Sequence, residues 1–533
     1  MISSQIKRLL DITESYKVPI YLSASAEDSA IEVDNITSQA AHYYERIRYA
    51  IDYKDEDILQ RSAIERIIKR KITFSSDTND ISKELISELI QAGYLPNGKI
   101  AQSSINIVQI VIDKTVIFMD LIRDMESGIK NTLFDSMIIG LCACEIEDIL
   151  FPSVMKEAAA DALYSYMRGN VTVVGSELST YELEMQIYIA SHKSLLKSDD
   201  TRLFYNMWII SYPEWINIDI SDSENRKRLG EMSEQYLSIR ENLKNQLKHP
   251  VQSKLIPKLR NHVIYFSAIL GVLGKFGKEA SGIFSNYDRL SDEVGGLISQ
   301  KYIDEKKRVN KMAWRAVFYI LITKIILALL IELPYDLFVA NAINYLALGI
   351  NIIFHPLLLI AITRSVVTMG EENTNRIISG VNDIVYGAEK KKIFLDVTDK
   401  KNILLYIVFI LYSLLFVLSF GFIILMLNKL GFNWVGMVFF IFFLALVSFF
   451  GLRIRYIAKI WTVHVKNSGF IAFIWDVFTL PIIFLGRWLT EKFASINIFV
   501  FIMDFIIETP FKIFLKISDS FISLIKEKKE EIY

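Results

Sequence analysis

The chain has only two cysteines in 533 residues, Cys142 and Cys144. On a helix that spacing sends the thiols to different faces, which suits neither a disulfide between them nor a shared metal. So few thiols exclude a disulfide framework and fit a reducing compartment. Proline and glycine are also sparse, at 10 and 23 residues. That is too little punctuation for a strand-rich fold and favours long helices. There is little net charge, -1, so nothing drives the chain as a whole toward nucleic acid. The basic triplet Arg226-Lys227-Arg228 is flanked by acids and lacks an aromatic platform, and reads as a solvated helix face. The first residues, MISSQIKRLLDITESYK, lack the apolar run of a cleavable secretory signal.

Catalytic signatures are missing too. The six histidines form no H-x-x-x-H pair, and there is no G-x-S-x-G and no G-x-G-x-x-G. GVLGKFGK, Gly271 to Lys278, approaches a phosphate-binding loop. It has one residue too many between its outer glycines, and Glu279 stands where a hydroxyl should bind magnesium. No cofactor and no metal is therefore expected, and the sequence leans away from an enzyme.

What the chain has is apolar sequence, 52% of all residues, concentrated after Val309. A bilayer core about 30 Å thick needs ~20 apolar residues as a helix. Phe338–Thr363, Ile403–Leu427 and Gly431–Leu452 contain no acid, lysine or arginine and read as spans. Ala313–Ile331 reads as a fourth, with Arg315 able to snorkel and Lys324 in need of a partner or a wet cavity. Lysine and arginine alternate across the loops. They are dense before the first span (Lys306, Lys307, Arg308, Lys311), absent after it, dense after the second and fourth, and represented by Lys429 alone after the third. This pattern puts the N-terminus in the cytoplasm of a cell with the protein in its inner (plasma) membrane.

The remaining apolar segments are Gly469–Leu485, with Asp476 and Pro481, and Ile496–Ile507, with Asp504. They read either as two further spans or as interfacial or re-entrant helices; both readings leave the C-terminus cytoplasmic. After Pro510 the chain reads as a basic amphipathic helix suited to anionic lipids at the inner face. The phrase IELPYDLF, Ile331 to Phe338, is echoed in IETPFKIF, Ile507 to Phe514. In both, an apolar helix is expected to end at an acid, Glu332 or Glu508, before proline starts a new one. Lys324, His355, Asp476 and Asp504 are the candidate membrane-embedded functional residues, because ionisable groups at membrane depth are costly. Glu332 and Glu508 are boundary acids. His355 precedes Pro356 and follows Asn351 by one turn, so a kink with satisfied polar groups competes with a proton relay.

Residues 1–310 read as an all-helical cytoplasmic domain, 311–460 as a four-span membrane domain, and 461–533 as interfacial or re-entrant helices with a basic tail. In the first, helical periodicity marks His42–Lys71, Ile105–Met125, Gln186–Trp208 (broken near Ser198-Asp199), Ser223–His249 and Val263–Phe276. Leu229, Met232, Tyr236, Ile239 and Leu243 form a short seam at three-and-four spacing, suited to packing inside the domain. The segments His42–Lys71, Gln186–Trp208 and Ile502–Phe514 together resemble an uncharacterised family of large membrane proteins from candidate-phyla bacteria (Patescibacteria). The resemblance implies a lineage and no chemistry. The fold class expected is all-α. The leading functional reading is a non-enzymatic scaffold, receptor or assembly factor whose partners are the lipid bilayer and another protein. A transporter or channel using Lys324, Asp476 and Asp504 comes second, and a membrane enzyme acting on lipid or envelope precursors third.

Overall fold

The computed structural model describes residues 2–495, apart from 24–27, 34–55, 75–79, 126–135, 175–177, 341–342, 365–369, 388–391, 397–401 and 464–469. Asp504 and Glu508 lie outside the described residues, as does the proposed amphipathic tail. The structure is about 83% helical. Among the described residues one sheet pairs two short strands, β1 (Val171–Val174) and β2 (Ile393–Asp396). The chain divides into two compact units. One holds Ser4–Leu259 and Lys391–Leu395, the other Arg260–Lys390 and Asp396–Asn497.

The first unit is built from α1 (Ser4–Ser15), α2 (Glu56–Phe74), α3 (Ile81–Gln91), α4 (Ser103–Met125), α5 (Ser136–Leu150), α6 (Val154–Arg168), α7 (Thr180–Leu195), α8 (Asp200–Ser211) and α9 (Ser223–Leu247), with the start of α10 (Val251–Phe276). Local chemistry sets several ends. Ser179 and Glu182 form a reciprocal capping box at the start of α7. The helix stops before Lys197, whose φ of 56° is left-handed. Asp199 then caps α8 by accepting from the Arg202 N–H. The break expected near Ser198-Asp199 is therefore real. Phe118, Trp208, Trp215 and Tyr236 meet edge-on in the core, with Phe118–Trp215 centroids 5.0 Å apart. Leu229, Met232, Tyr236 and Leu243 of the α9 seam are buried in this same cluster, so the seam packs within the unit.

The second unit contains α11 (Ala280–Phe284), α12 (Tyr287–Leu327), α13 (Tyr345–Arg364), α14 (Glu371–Tyr386), α15 (Asn402–Lys429), α16 (Trp434–Ala458) and α17 (Phe470–Ser495). Among the described residues, four helical stretches are long and apolar enough to cross a membrane: Tyr287–Val339, Tyr345–Arg364, Tyr406–Lys429 and Trp434–Ala458. The first runs 53 residues, roughly 80 Å at 1.5 Å per residue. Only its C-terminal part is apolar, and α14 packs against α12. Helix α12 does not end at Glu332. It continues through π turns at Ala328–Glu332 and Asp336–Ala340 that flank Leu333–Tyr335. A widened turn accommodates the ring of Pro334, which cannot donate to the regular ladder. Phe338 consequently belongs to the first apolar helix, and the second begins at Tyr345 instead of Phe338.

Helix α17 is one continuous helix of 26 residues with Pro481 inside it. It packs against α16 and α15. A Cβ on Gly486 would stand 2.1 Å from the Ala445 carbonyl oxygen, so glycine is what lets α17 lie against the middle of α16. Ser419 of α15 donates to the Phe478 carbonyl at 2.9 Å. Asp476 falls on the first half of α17.

Candidate functional site

The apolar helices enclose a chain of polar side chains. Lys324, on α12, is 1% exposed. Its ammonium donates to Asn351 Oδ1 on α13 at 2.6 Å, and Asn351 Nδ2 donates to Glu332 Oε1 at 2.6 Å. The lysine nitrogen also lies 4.3 Å from the ring centroid of Phe443 on α16, a cation–π contact strengthened by burial. One asparagine amide thus bridges a cation and an anion eight residues apart on the same helix. The two are two turns apart, and the π turn begins between them. Glu332 is itself 3% exposed. The helix end expected at this acid is not there, because the helix continues through Glu332.

His355 sits one turn beyond Asn351, fully buried. Its Nδ1 lies 3.1 Å from the Asn351 carbonyl oxygen and its Nε2 lies 3.0 Å from the Phe440 carbonyl oxygen. A neutral imidazole donates to one of these oxygens and not both. The ring therefore sits between a carbonyl of α13 and a carbonyl of α16, beside Pro356. Of the sequence candidates, Lys324 and His355 come together around Asn351, with Glu332 joining them.

Beyond Glu332 the same helix end presents Asp336, 5% exposed, which accepts from Asn433 Nδ2. Asn433 also caps α16, its Oδ1 accepting from the Gly436 N–H at 2.6 Å. Asn344 caps α13 by accepting from the Leu346 and Ala347 N–H groups, and donates to the Leu430 and Gly431 carbonyls. Gly431 has φ +75° and meets the Asn344 amide where a Cβ would stand. A pocket of about 40 Å³ opens between Glu332, Asp336, Asn344 and Asn433, room for about three waters at ~10–15 Å³ each. The Glu332 and Asp336 carboxyls share this pocket with residues at the N-termini of α13 and α16, each helix end worth roughly half a positive charge. Among the described residues no group of three or more His, Cys, Asp or Glu could hold a metal ion.

A second buried network lies in the Ser4–Leu259 unit, and sequence reading missed it. Arg61 of α2 pairs with Glu147 of α5 and with Asp199. Arg202 of α8 meets Asp148 at 2.6 Å, Glu157 at 3.1 Å and Glu147 at 3.6 Å. His192 of α7 is 1% exposed and lies between Glu157 and Asp161, 3.4 Å from each. These are ion-pair distances without hydrogen-bond alignment. Burial pulls the His192 pKa down, but Asp161 and Glu157 outweigh it and the net shift is upward. Burial raises Glu157, while His192 and Arg202 outweigh that and hold it below the ordinary carboxylate value. Nearby, Lys114 donates to Glu145 at 2.6 Å and to the Trp215 carbonyl at 2.8 Å, and Trp215 Nε1 donates to Glu145 at 2.8 Å. Burial pushes the Cys142 thiol up to about 12 and that of Cys144 well above its usual value, so neither is a ready nucleophile. No sequence motif announces this network, because its members are far apart in the chain.

No family model, curated protein or solved structure matches this chain.

Two outcomes follow from these geometries. Asn351→Leu removes the bridge and leaves Lys324 and Glu332 buried without it. A loss of about 3–5 kcal/mol is expected, as for other broken buried pairs. The double replacement Lys324→Met with Glu332→Gln should cost clearly less. Thermal unfolding of the three purified proteins in one detergent checks the order. For the helical unit, the His192 contribution to stability is fully present below the ordinary histidine pKa and is lost as pH rises through its raised folded value. The Glu157 contribution is present above the ordinary glutamate pKa and is lost as pH falls through its lowered folded value. The wild-type pH–Tm profile should therefore fall on both sides of a mildly acidic-to-neutral maximum, and His192→Asn should flatten the alkaline side.

Proposed function

We propose that this chain is a multi-pass membrane protein of the inner (plasma) membrane that works as a non-enzymatic scaffold, receptor or assembly factor. Its apolar helices anchor, in the same chain, the helical unit Ser4–Leu259, which serves as a cytoplasmic platform for a protein partner. The observation that carries this reading is the contrast along the α12–α13–α16 interface. At one level the polar groups are tied to one another and to helix ends. At the other level, Val309, Ala313, Val317, Leu359, Val447 and Ile454 form a buried apolar cluster. A transport path needs polar or wet lining through the bundle, and the side chains packed in this cluster are all apolar. Intramembrane charge here locks helices together.

The basic ends of α13 and α16, with the basic stretch of α12, face the cytoplasm in this reading. Helix α17 makes a fifth crossing, supported by Gly486 lying against mid-α16 and Phe478 against mid-α15. Exposed apolar side chains on the helical unit, among them Ile210 and Ile216 at 56% and 53%, mark where a partner would be sought.

A transporter remains the second reading, favoured by the fully buried Lys324 and the pocket at Glu332 and Asp336. Reconstituted vesicles separate the two. The scaffold reading predicts sodium, potassium and proton fluxes no greater than in empty vesicles. It also predicts that a photo-crosslinker at Ile210 or Ile216 of the membrane-bound full chain captures a discrete protein. A flux abolished by Lys324→Met, with no discrete crosslink, would reverse the order.

A further inference from the structure

One end of the bundle carries the acids Glu332 and Asp336, and the opposite end carries mostly cations. Around the apolar cluster of Val309, Ala313, Leu359 and Ile454, three helices bring cations to one level. Lys311 and Arg315 flank Ala313 on α12, Arg364 ends α13 one turn past Ile360, and Arg453 and Arg455 flank Ile454 on α16. Lys311, Arg315, Arg364 and Arg453 are exposed. No acid occurs between Lys306 and Ile331, between Leu337 and Gly370, or between Asn402 and Trp475. The C-termini of α13 and α16 supply only about half a negative charge each. Trp314, Tyr319 and Tyr456 are 63%, 77% and 64% exposed near this level, the amphipathic rings expected where hydrocarbon meets headgroups.

One donor here lacks an acceptor. The Nε of Arg455 is buried and has no hydrogen-bond partner among the described residues, although the side chain is only half-buried. A guanidinium forks two parallel donors toward phosphate or carboxylate oxygens. An unmade bond at a buried charged donor is costly, so an acceptor carried by a bound headgroup would be favoured here.

We propose that this end of the bundle binds the phosphodiester headgroup of an anionic phospholipid, with Arg455 and Arg453 of α16 as its main donors and Lys311 and Arg315 of α12 completing the field. The aromatic side chains hold the adjoining acyl chains at the same level. The proposal rests on the membrane-spanning reading. The two fail differently: a chain stripped from membranes by alkaline carbonate fails the spanning reading, whereas a firmly inserted chain without headgroup preference fails this one.

The test uses the full chain in phosphatidylcholine nanodiscs titrated with phosphatidylglycerol of the same acyl chains. Phosphatidylglycerol should raise Tm saturably, as a ligand of the folded state does. Arg453→Gln with Arg455→Gln should keep the phosphatidylcholine baseline and weaken the apparent phosphatidylglycerol affinity, by roughly fivefold for each charge removed near the surface. If that variant does not fold, Lys311→Gln with Arg315→Gln carries the same expectation. An equal Tm rise with added phosphatidylcholine would overturn the proposal, as would an unchanged phosphatidylglycerol response in the folded variants. An equal response to inorganic phosphate or a short RNA would also overturn it, by making the surface a general anion site.

Discussion

Burying a lysine among apolar helices is the constraint on which the second unit depends. An ammonium without water is costly by several kcal/mol unless its donors are met. Lys324 meets its need through an amide, an aromatic ring and, at one remove, a carboxylate. To bring that carboxylate round, α12 must persist past the position where proline would ordinarily end it. The π turns do this, and they also carry Asp336 to the caps of the neighbouring helices. The same asparagine that bridges Lys324 and Glu332 offers its main-chain oxygen to His355. Three helices are therefore fixed in register by a handful of polar atoms, in surroundings where dispersion forces alone specify register weakly.

That lock also shapes the distribution of charge. At one end, the Glu332 and Asp336 carboxyls share a pocket with residues at two helix N-termini. At the other end, cations from α12, α13 and α16 gather, with Glu305 of α12 paired to Arg308. Apolar packing separates the two levels. Among the described residues, four helical stretches are long and apolar enough to cross a membrane, which is compatible with a membrane protein.

Much of this was legible in the sequence, and the rest was hidden for specific reasons. Long acid-free runs disclosed α15 and α16, because apolar helices in lipid need no periodic polar face. Asp199 ahead of α8 disclosed the break after α7, because capping is local chemistry. The sequence also required a partner for Lys324, and it placed Asn351 one turn from His355. It could not show that Asn351 would face both Lys324 and Glu332, since that depends on how α12 and α13 cross. Pro334 misled in the opposite direction. Proline usually ends a helix, and the π turns that absorb it leave no sequence signature, so Glu332 read as a boundary acid and the second apolar helix was begun too early. The Arg61–Arg202–His192 network was illegible because its helices are assembled only by tertiary packing.

The most direct measurement is sided labelling of single cysteines in a chain with Cys142 and Cys144 replaced. Lys307→Cys lies on the basic stretch of α12, Lys429→Cys at the far end of α15 and Glu491→Cys near the end of α17, and all three positions are exposed. The account predicts that a membrane-impermeant maleimide reaches Lys429→Cys and Glu491→Cys from one side and Lys307→Cys only from the other. Labelling of all three from the same side would contradict a bundle that crosses the bilayer around the Lys324–Asn351–Glu332 lock.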